Sequence, residues 1–189
     1  MNKIYLLFLI SLSSCSVLNP FSIKQIYEVF TVNELGILDE ELKEISYSFI
    51  IIEFQNKRAL LPLTEINNDS SYVWTFNEEI SLVTKNGRIL KTVGLDKNSE
   101  ILNLYIPATS NEYERDILLY NPKSFASQIV TKIPPEESNG CLQELIETID
   151  FKWEFLNTYC FDDRNFPSIT KQEIHPQLGN IRIEYHFRF

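Results

Sequence analysis

Two histidines, three cysteines and several paired carboxylates are the side chains of this 189-residue chain best suited to chemistry. A zinc ion wants three or four closely set ligands, and His175 and His186 belong to no CxxC or HExxH spacing. A surface or hydrogen-bonded imidazole is therefore expected at both positions. Asp162-Asp163 and Glu40-Glu41 are adjacent carboxylates. Glycoside hydrolysis needs two carboxyls facing each other at about 5 or 6.5–9.5 Å, which sequence neighbours rarely do. A solvated loop and a helix surface suit these pairs better. No Gly-x-Ser-x-Gly elbow is present, and the five glycines form no phosphate cradle. The expectation is a protein that binds rather than catalyses, with no metal and no cofactor. Trp74, Trp153 and the nine tyrosines offer faces on which sugars stack, although core packing is the ordinary role of such aromatics in a β protein.

The third cysteine carries a different chemistry. Lys3 precedes an unbroken apolar run, Ile4 to Ile10, and the small residues Ser11-Leu12-Ser13-Ser14 lead into Cys15. Charged start, apolar middle and small residues at the cut are the order of a signal peptide. The run is far short of the roughly 20 residues that span a bilayer. Leu12-Ser13-Ser14-Cys15 resembles the bacterial lipobox, which implies cleavage of residues 1–14, a diacylglycerol on the Cys15 thiol and an acyl chain on its amine. One chain binds a membrane only marginally, whereas two or three hold firmly. Ser16 stands where an aspartate would retain the protein in the inner membrane, so the outer membrane, on its periplasmic face, is the expected address.

Residues 15–189 are then expected to form one β-rich periplasmic domain, long enough to bury a core. With 26 acidic and 17 basic residues the net charge is −9, which argues against nucleic acid and against electrostatic attraction to anionic lipid.

The elements follow from periodicity. Ile23, Ile26, Tyr27 and Phe30 have helical spacing, and Leu38 to Ile45 suggests a second short helix with Asp39 as its N-cap. From Ser46 the period becomes two. Ser46–Phe54, Ala59–Leu63, Leu102–Ile106, Arg115–Tyr120 and Gln128–Ile133 read as strands, as do residues 151–161 and 169–174. In the closing "IRIEYHFRF", Ile181, Ile183, Tyr185, Phe187 and Phe189 share one face. The pattern predicts one antiparallel sheet, strongly curved or closed into a barrel, with one or two short N-terminal helices packed on it.

Two hairpins can be placed in advance. Cys141 and Cys160 are symmetric about a presumed turn at Ile149-Asp150-Phe151-Lys152, so they would face each other at a distance a disulfide tolerates. The alternative is two free buried thiols. Asn86-Gly87 suits a type I′ turn. It would pair Lys85 with Arg88, Val83 with Leu90 and Leu82 with Lys91. Lys85 and Arg88 then stand at a tip, either as solvated cations or as contacts for an anionic polysaccharide or an acidic partner loop.

"YSFIIIEFQNKRALLPL", "YVWTF" and "ISLVTKNGRILKTVGL" resemble the core of the YjbF/GfcB-type lipoproteins of group 4 capsule and exopolysaccharide operons. The matching residues are Tyr47-Ser48, Trp74, Asn86-Gly87-Arg88 and Thr92-Val93-Gly94-Leu95. Downstream, "WEFLNTYCFD" and "SITKQEIHPQLGNIRIEY" are similar to the closing segments of that family, with Gln172, Ile174 and Pro176 in place. The resemblance implies a mainly β fold and a periplasmic role in polysaccharide secretion, beside an outer-membrane β-barrel or another export protein. It implies no catalytic residues. The acidity of this chain and its Cys141 and Cys160 depart from the family pattern. Two other functions fit a curved sheet: a carrier for lipid or lipoprotein, and a glycan-processing enzyme.

Overall fold

A computed structural model describes residues 39–55, 57–77, 79–107, 109–135 and 140–189. The lipobox, the Ile23–Phe30 helix and the side chains of Asp39, Glu40 and Glu41 lie outside the described residues.

The fold is a closed antiparallel barrel of twelve strands in which sequence neighbours pair throughout and β1 closes on β12. A short helix α1 (Asp39–Glu44) comes first. The strands are β1 (Phe49–Phe54), β2 (Lys57–Ile66), β3 (Tyr72–Phe76), β4 (Ile80–Lys85), β5 (Arg88–Val93) and β6 (Ser99–Ile101). They continue with β7 (Glu112–Leu119), β8 (Ser124–Ile133), β9 (Leu142–Thr148), β10 (Glu154–Phe161), β11 (Pro167–Glu173) and β12 (Asn180–His186).

Period-two alternation sends one side chain in two into the barrel. Ile181, Ile183 and Tyr185 of β12 point inward with Ile50 and Ile52 of β1, Leu61, Trp74 and Leu82. Ile117, Leu119, Val130, Ile146 and Phe155 form a second apolar group on the β7–β10 side. β1 is apolar on both faces because both are covered: Phe49 and Ile51 pack outward with Leu60 against Leu42 of α1. The expected short helix on the sheet is thus present. Phe187 is buried with the inward row, but β12 ends at His186 and Phe189 is 64% exposed.

Two local expectations change. Leu102–Ile106 is not a strand: β6 stops at Ile101, and residues 102–107 form an irregular strap ahead of β7. Leu104 and Ile106 pack against the second apolar group while Tyr105 between them is exposed. The alternation is that of a strand, but no neighbour supplies a ladder. In the β4–β5 hairpin, Lys85 pairs with Arg88 as expected, but Val83 pairs with Lys91 and Leu82 with Thr92, with the register shift between Val83 and Thr84. The extra residue on β5 is Leu90. A bulge of this kind bends its strand, and both Arg88 and Ile89 become buried.

Candidate functional site

Asn86 and Gly87 have positive φ (48° and 78°), as the type I′ turn requires. The turn folds back on the barrel, with Gly87 buried and Asn86 exposed. Eight strands enclose a space that side chains just fill, and twelve enclose more. Part of that extra room is taken by the turn itself. The Gly87 carbonyl accepts hydrogen bonds from Gln172 Nε2 (2.8 Å) and the Tyr185 hydroxyl (3.1 Å), and Gln172 Oε1 accepts from Ile89 N (3.0 Å). A Cβ at Gly87 would lie 3.2 Å from Thr170 and 3.3 Å from Pro167.

Arg88 is consequently an interior residue. Its Nη2 and Nε donate to Glu144 Oε1 at 2.6 and 3.1 Å, and its guanidinium lies 4.8 Å from the Tyr159 ring centroid. Tyr113 also donates to Glu144 Oε1 (3.0 Å). Burial pushes the Glu144 carboxyl up, but Arg88 and the Tyr113 hydroxyl outweigh it and hold the group below its usual range. Burial, followed by the nearby Glu144 charge, raises the Tyr113 hydroxyl to about 12. Arg115, equally buried, donates to Gln128 Oε1 (2.8 Å). The expectation that Arg88 contacts a partner from a free tip gives way to this buried ion pair.

Neither tryptophan offers a sugar a face. Trp74 is fully buried and donates to Thr84 Oγ1 (2.8 Å). Trp153 is nearly so, stacked on Phe155 at 4.4 Å, and donates to Glu173 (3.1 Å). His175 is buried with Nδ1 accepting from Gln177 N, and burial and then Lys97 lower its pKa. His186 stacks on Phe49. Asp162 shapes its turn by accepting from the backbone N–H groups of Arg164 and Phe166. Among the described residues, no three His, Cys, Asp or Glu side chains converge as metal ligands.

Cys141 and Cys160 are bonded, with S–S 2.06 Å and Cα atoms 4.4 Å apart. The register of β9 and β10 runs from Glu147↔Glu154 to Leu142↔Tyr159, which carries the two cysteines opposite one another.

Of the residues expected at a contact site, Lys85 alone reaches a surface cleft. Its Nζ lies 3.0 Å from Asp69 Oδ2. Asp69 is fixed in the 67–71 loop, where Oδ1 accepts from Ser71 Oγ (2.7 Å) and Ser71 N (3.1 Å). The Ser71 hydroxyl, then Lys85, draw its pKa down to about 2. Asp69, Lys85, Asn86, Leu90, Leu104 and Ile106 line a cleft of about 240 Å³. Sequence reading missed Asp69, from the 67–71 loop, and Leu104 and Ile106, from the strap. A second cavity, of about 440 Å³, opens at the other end of the barrel and is walled by Ile52, Phe54, Ala59, Phe76, Ile80 and Leu95.

Three of the segments quoted for the family resemblance meet in one clasp, through Gly87-Arg88, Tyr159 and Gln172. Residues 25–129, more than half of the chain, match the family described as group 4 capsule polysaccharide lipoprotein gfcB, YjbF. The chain belongs to this family. A similar fold is also found among solved structures. A hypothetical lipoprotein, YmcC, from Escherichia coli (K12) superposes with a TM-score of 0.66 at 21% identity, covering 87% of this chain and 92% of that one. At that identity the likeness speaks for the fold alone. No curated protein matches. The YjbF match ends within β8, so Glu144, Gln172 and the disulfide lie beyond it.

Proposed function

We propose that this YjbF-family protein is a non-catalytic accessory factor in secretion or assembly of a capsular or extracellular polysaccharide. In this reading, lipid on Cys15 holds it at the outer membrane facing the periplasm, beside an outer-membrane β-barrel or another export protein. The observation that carries the reading is the match of residues 25–129 to the group 4 capsule polysaccharide lipoprotein family. Two apolar groups, the Arg88–Glu144 pair and the inserted Gly87 turn occupy much of the barrel interior. A polymer would therefore meet the outer surface and the loops rather than pass through.

Deleting the gene should reduce polysaccharide at the cell surface, and Cys15→Ala should move the protein from the outer-membrane fraction to the soluble periplasm. Normal display in the deletion strain would overturn the accessory role. Continued sedimentation of Cys15→Ala with membranes, or of the native protein with inner-membrane vesicles, would overturn the proposed address.

One observation favours a second reading, a carrier for an amphiphile. The cavity of about 440 Å³ has mostly apolar walls, with Gln55, Lys57, Arg58 and Asp96 also lining it, and falls in the size range of ligand pockets. Ala59→Phe, which fills it, should abolish uptake of a fluorescent fatty acid if the carrier reading holds. Uptake by neither protein removes that reading.

A further inference from the structure

We propose that the cleft between the β4–β5 hairpin and the 102–107 strap is a subsite for one pyranose residue of a polysaccharide. The inference rests on the accessory role and names the surface through which it would be exercised.

A pyranose presents two chemistries at once, a patch of C–H groups and a rim of hydroxyls that each donate and accept. The cleft offers both complements. Leu90, Leu104 and Ile106 are its apolar lining. Asp69 is an acceptor, Lys85 a donor and Asn86 both. With Lys85 Nζ and Asp69 Oδ2 only 3.0 Å apart, one sugar hydroxyl can accept from the ammonium while it, or its neighbour, donates to the carboxylate. Ionised Asp69 keeps that acceptor role throughout the neutral range. The ion pair is more than one-third exposed on average (33% and 56%), a setting in which such pairs add little to folding. Its use is easier to find in a ligand than in stability.

The strap supplies the second observation. The last backbone bond it makes to β7 is Leu102 N to Asp116 O, and β5 pairs with β6 only at Lys91↔Glu100. Leu104, Tyr105 and Ile106 therefore enter no ladder among the described residues. Leu104 and Ile106 turn to the cleft, while Tyr105 between them is 78% exposed and lies outside its lining. The volume of about 240 Å³ admits one ring rather than an oligosaccharide. A partner peptide would need a longer edge than the short β5–β6 seam provides, so the observations favour the sugar.

The test uses the full chain and four probes: methyl α-glucopyranoside, N-acetylglucosamine, methyl glucuronide and, as open-chain control, sorbitol. Saturation-transfer NMR should show saturable binding of at least one pyranoside and none of sorbitol. Lys85→Gln and Asp69→Asn each remove one charge from a partly exposed pair and should each weaken that binding about tenfold, the loss expected for one hydrogen bond to a charged group, without moving the melting temperature. No saturable pyranoside, equal binding of sorbitol, or binding untouched by both variants would overturn the subsite. Display separates the two ideas. If deletion stops display and the two variants display normally, the subsite falls and the accessory role stands. If deletion leaves display intact, the accessory role itself falls.

Discussion

Arg88 and Glu144 stand 56 residues apart in the chain and 2.6 Å apart inside the barrel. The pair is almost wholly buried, with side-chain exposures of 6% and 0%. Two charges taken from water are tolerable only when each meets the other and further donors fill the remaining sites. Tyr113 fills one such site on Oε1, while Oε2 has no hydrogen bond among the described residues. Removing one partner leaves the other as an uncompensated buried charge. Arg88→Met or Glu144→Leu alone should cost about 3–5 kcal/mol, and the double variant should recover most of it. Urea unfolding of the three proteins checks this. Equal losses in single and double variants would show that the pair is not the unit.

Gln172 makes the second connection to the turn. Through one side chain it donates to the Gly87 carbonyl and accepts from Ile89 N. Gln172→Ala strands the Ile89 N–H in the interior, while Tyr185 still serves the carbonyl. A buried donor left unpaired costs about 1–3 kcal/mol. Thermal melting should register that loss. Gln172→Glu, which puts a buried carboxylate oxygen against the Gly87 carbonyl, should cost more than Gln172→Ala.

The local parts of this architecture were legible in the sequence, and the long-range parts were not. The Cys141–Cys160 register followed from symmetry about the turn at Asp150, because a hairpin is specified by residues close in the chain. The Asn86-Gly87 turn followed from its own φ preferences. Its inward direction depends on Glu144 and Gln172, 56 and 85 residues from their partners, and no periodicity announces them. The same holds for the bulge at Leu90, which exchanges a simple ladder for burial of Arg88. Residues 102–106 carry true strand alternation, but a strand needs a neighbour, and β5 and β7 do not close on it. Lys85 was visible as a surface cation. Its cleft was not, since Asp69 comes from the 67–71 loop and Leu104 from the strap.

Glycines with similar φ should differ sharply in their tolerance of a methyl group. A Cβ at Gly94 would lie 1.8 Å from the Glu79 carbonyl oxygen, whereas nothing among the described residues lies within 4 Å of one at Gly140; φ is 81° and 85°. Gly140→Ala should cost about 1 kcal/mol, from the left-handed backbone alone. Gly94→Ala adds a backbone collision that no side-chain rotation relieves, and a loss above about 3 kcal/mol is expected. Comparable melting temperatures for the two variants would contradict the close approach of these two turns.

Reduction of the Cys141–Cys160 bond should destabilise without unfolding. A closed loop of this size restricts the unfolded chain by about 3 kcal/mol in the chain-entropy account. The β9–β10 ladder and the barrel contacts remain after reduction. Cys141→Ser/Cys160→Ser should therefore keep a native circular dichroism spectrum and lower the urea midpoint. A reduced protein with an unchanged midpoint would show that the bond adds no constraint.

Alkaline pH should test the interior more sharply than acid. Burial raises the hydroxyls of Tyr113 to about 12, and those of Tyr159 and Tyr185 above their usual value near 10.0. A group whose folded pKa is raised stabilises fully below its unfolded pKa and loses that contribution as pH climbs through the folded one. Stability should hold up to roughly pH 9.5 and then fall, by about 1.4 kcal/mol per pH unit for each tyrosine that stays protonated only when folded. Tyr159 receives a hydrogen bond from Asn157 and sits beneath the Arg88 guanidinium. Tyr159→Phe preserves that ring and removes one titrating group. Its neutral stability should drop modestly, and its loss between pH 10 and 12 should be shallower than that of the unaltered protein. Parallel alkaline slopes would mean that Tyr159 already titrates in the folded barrel.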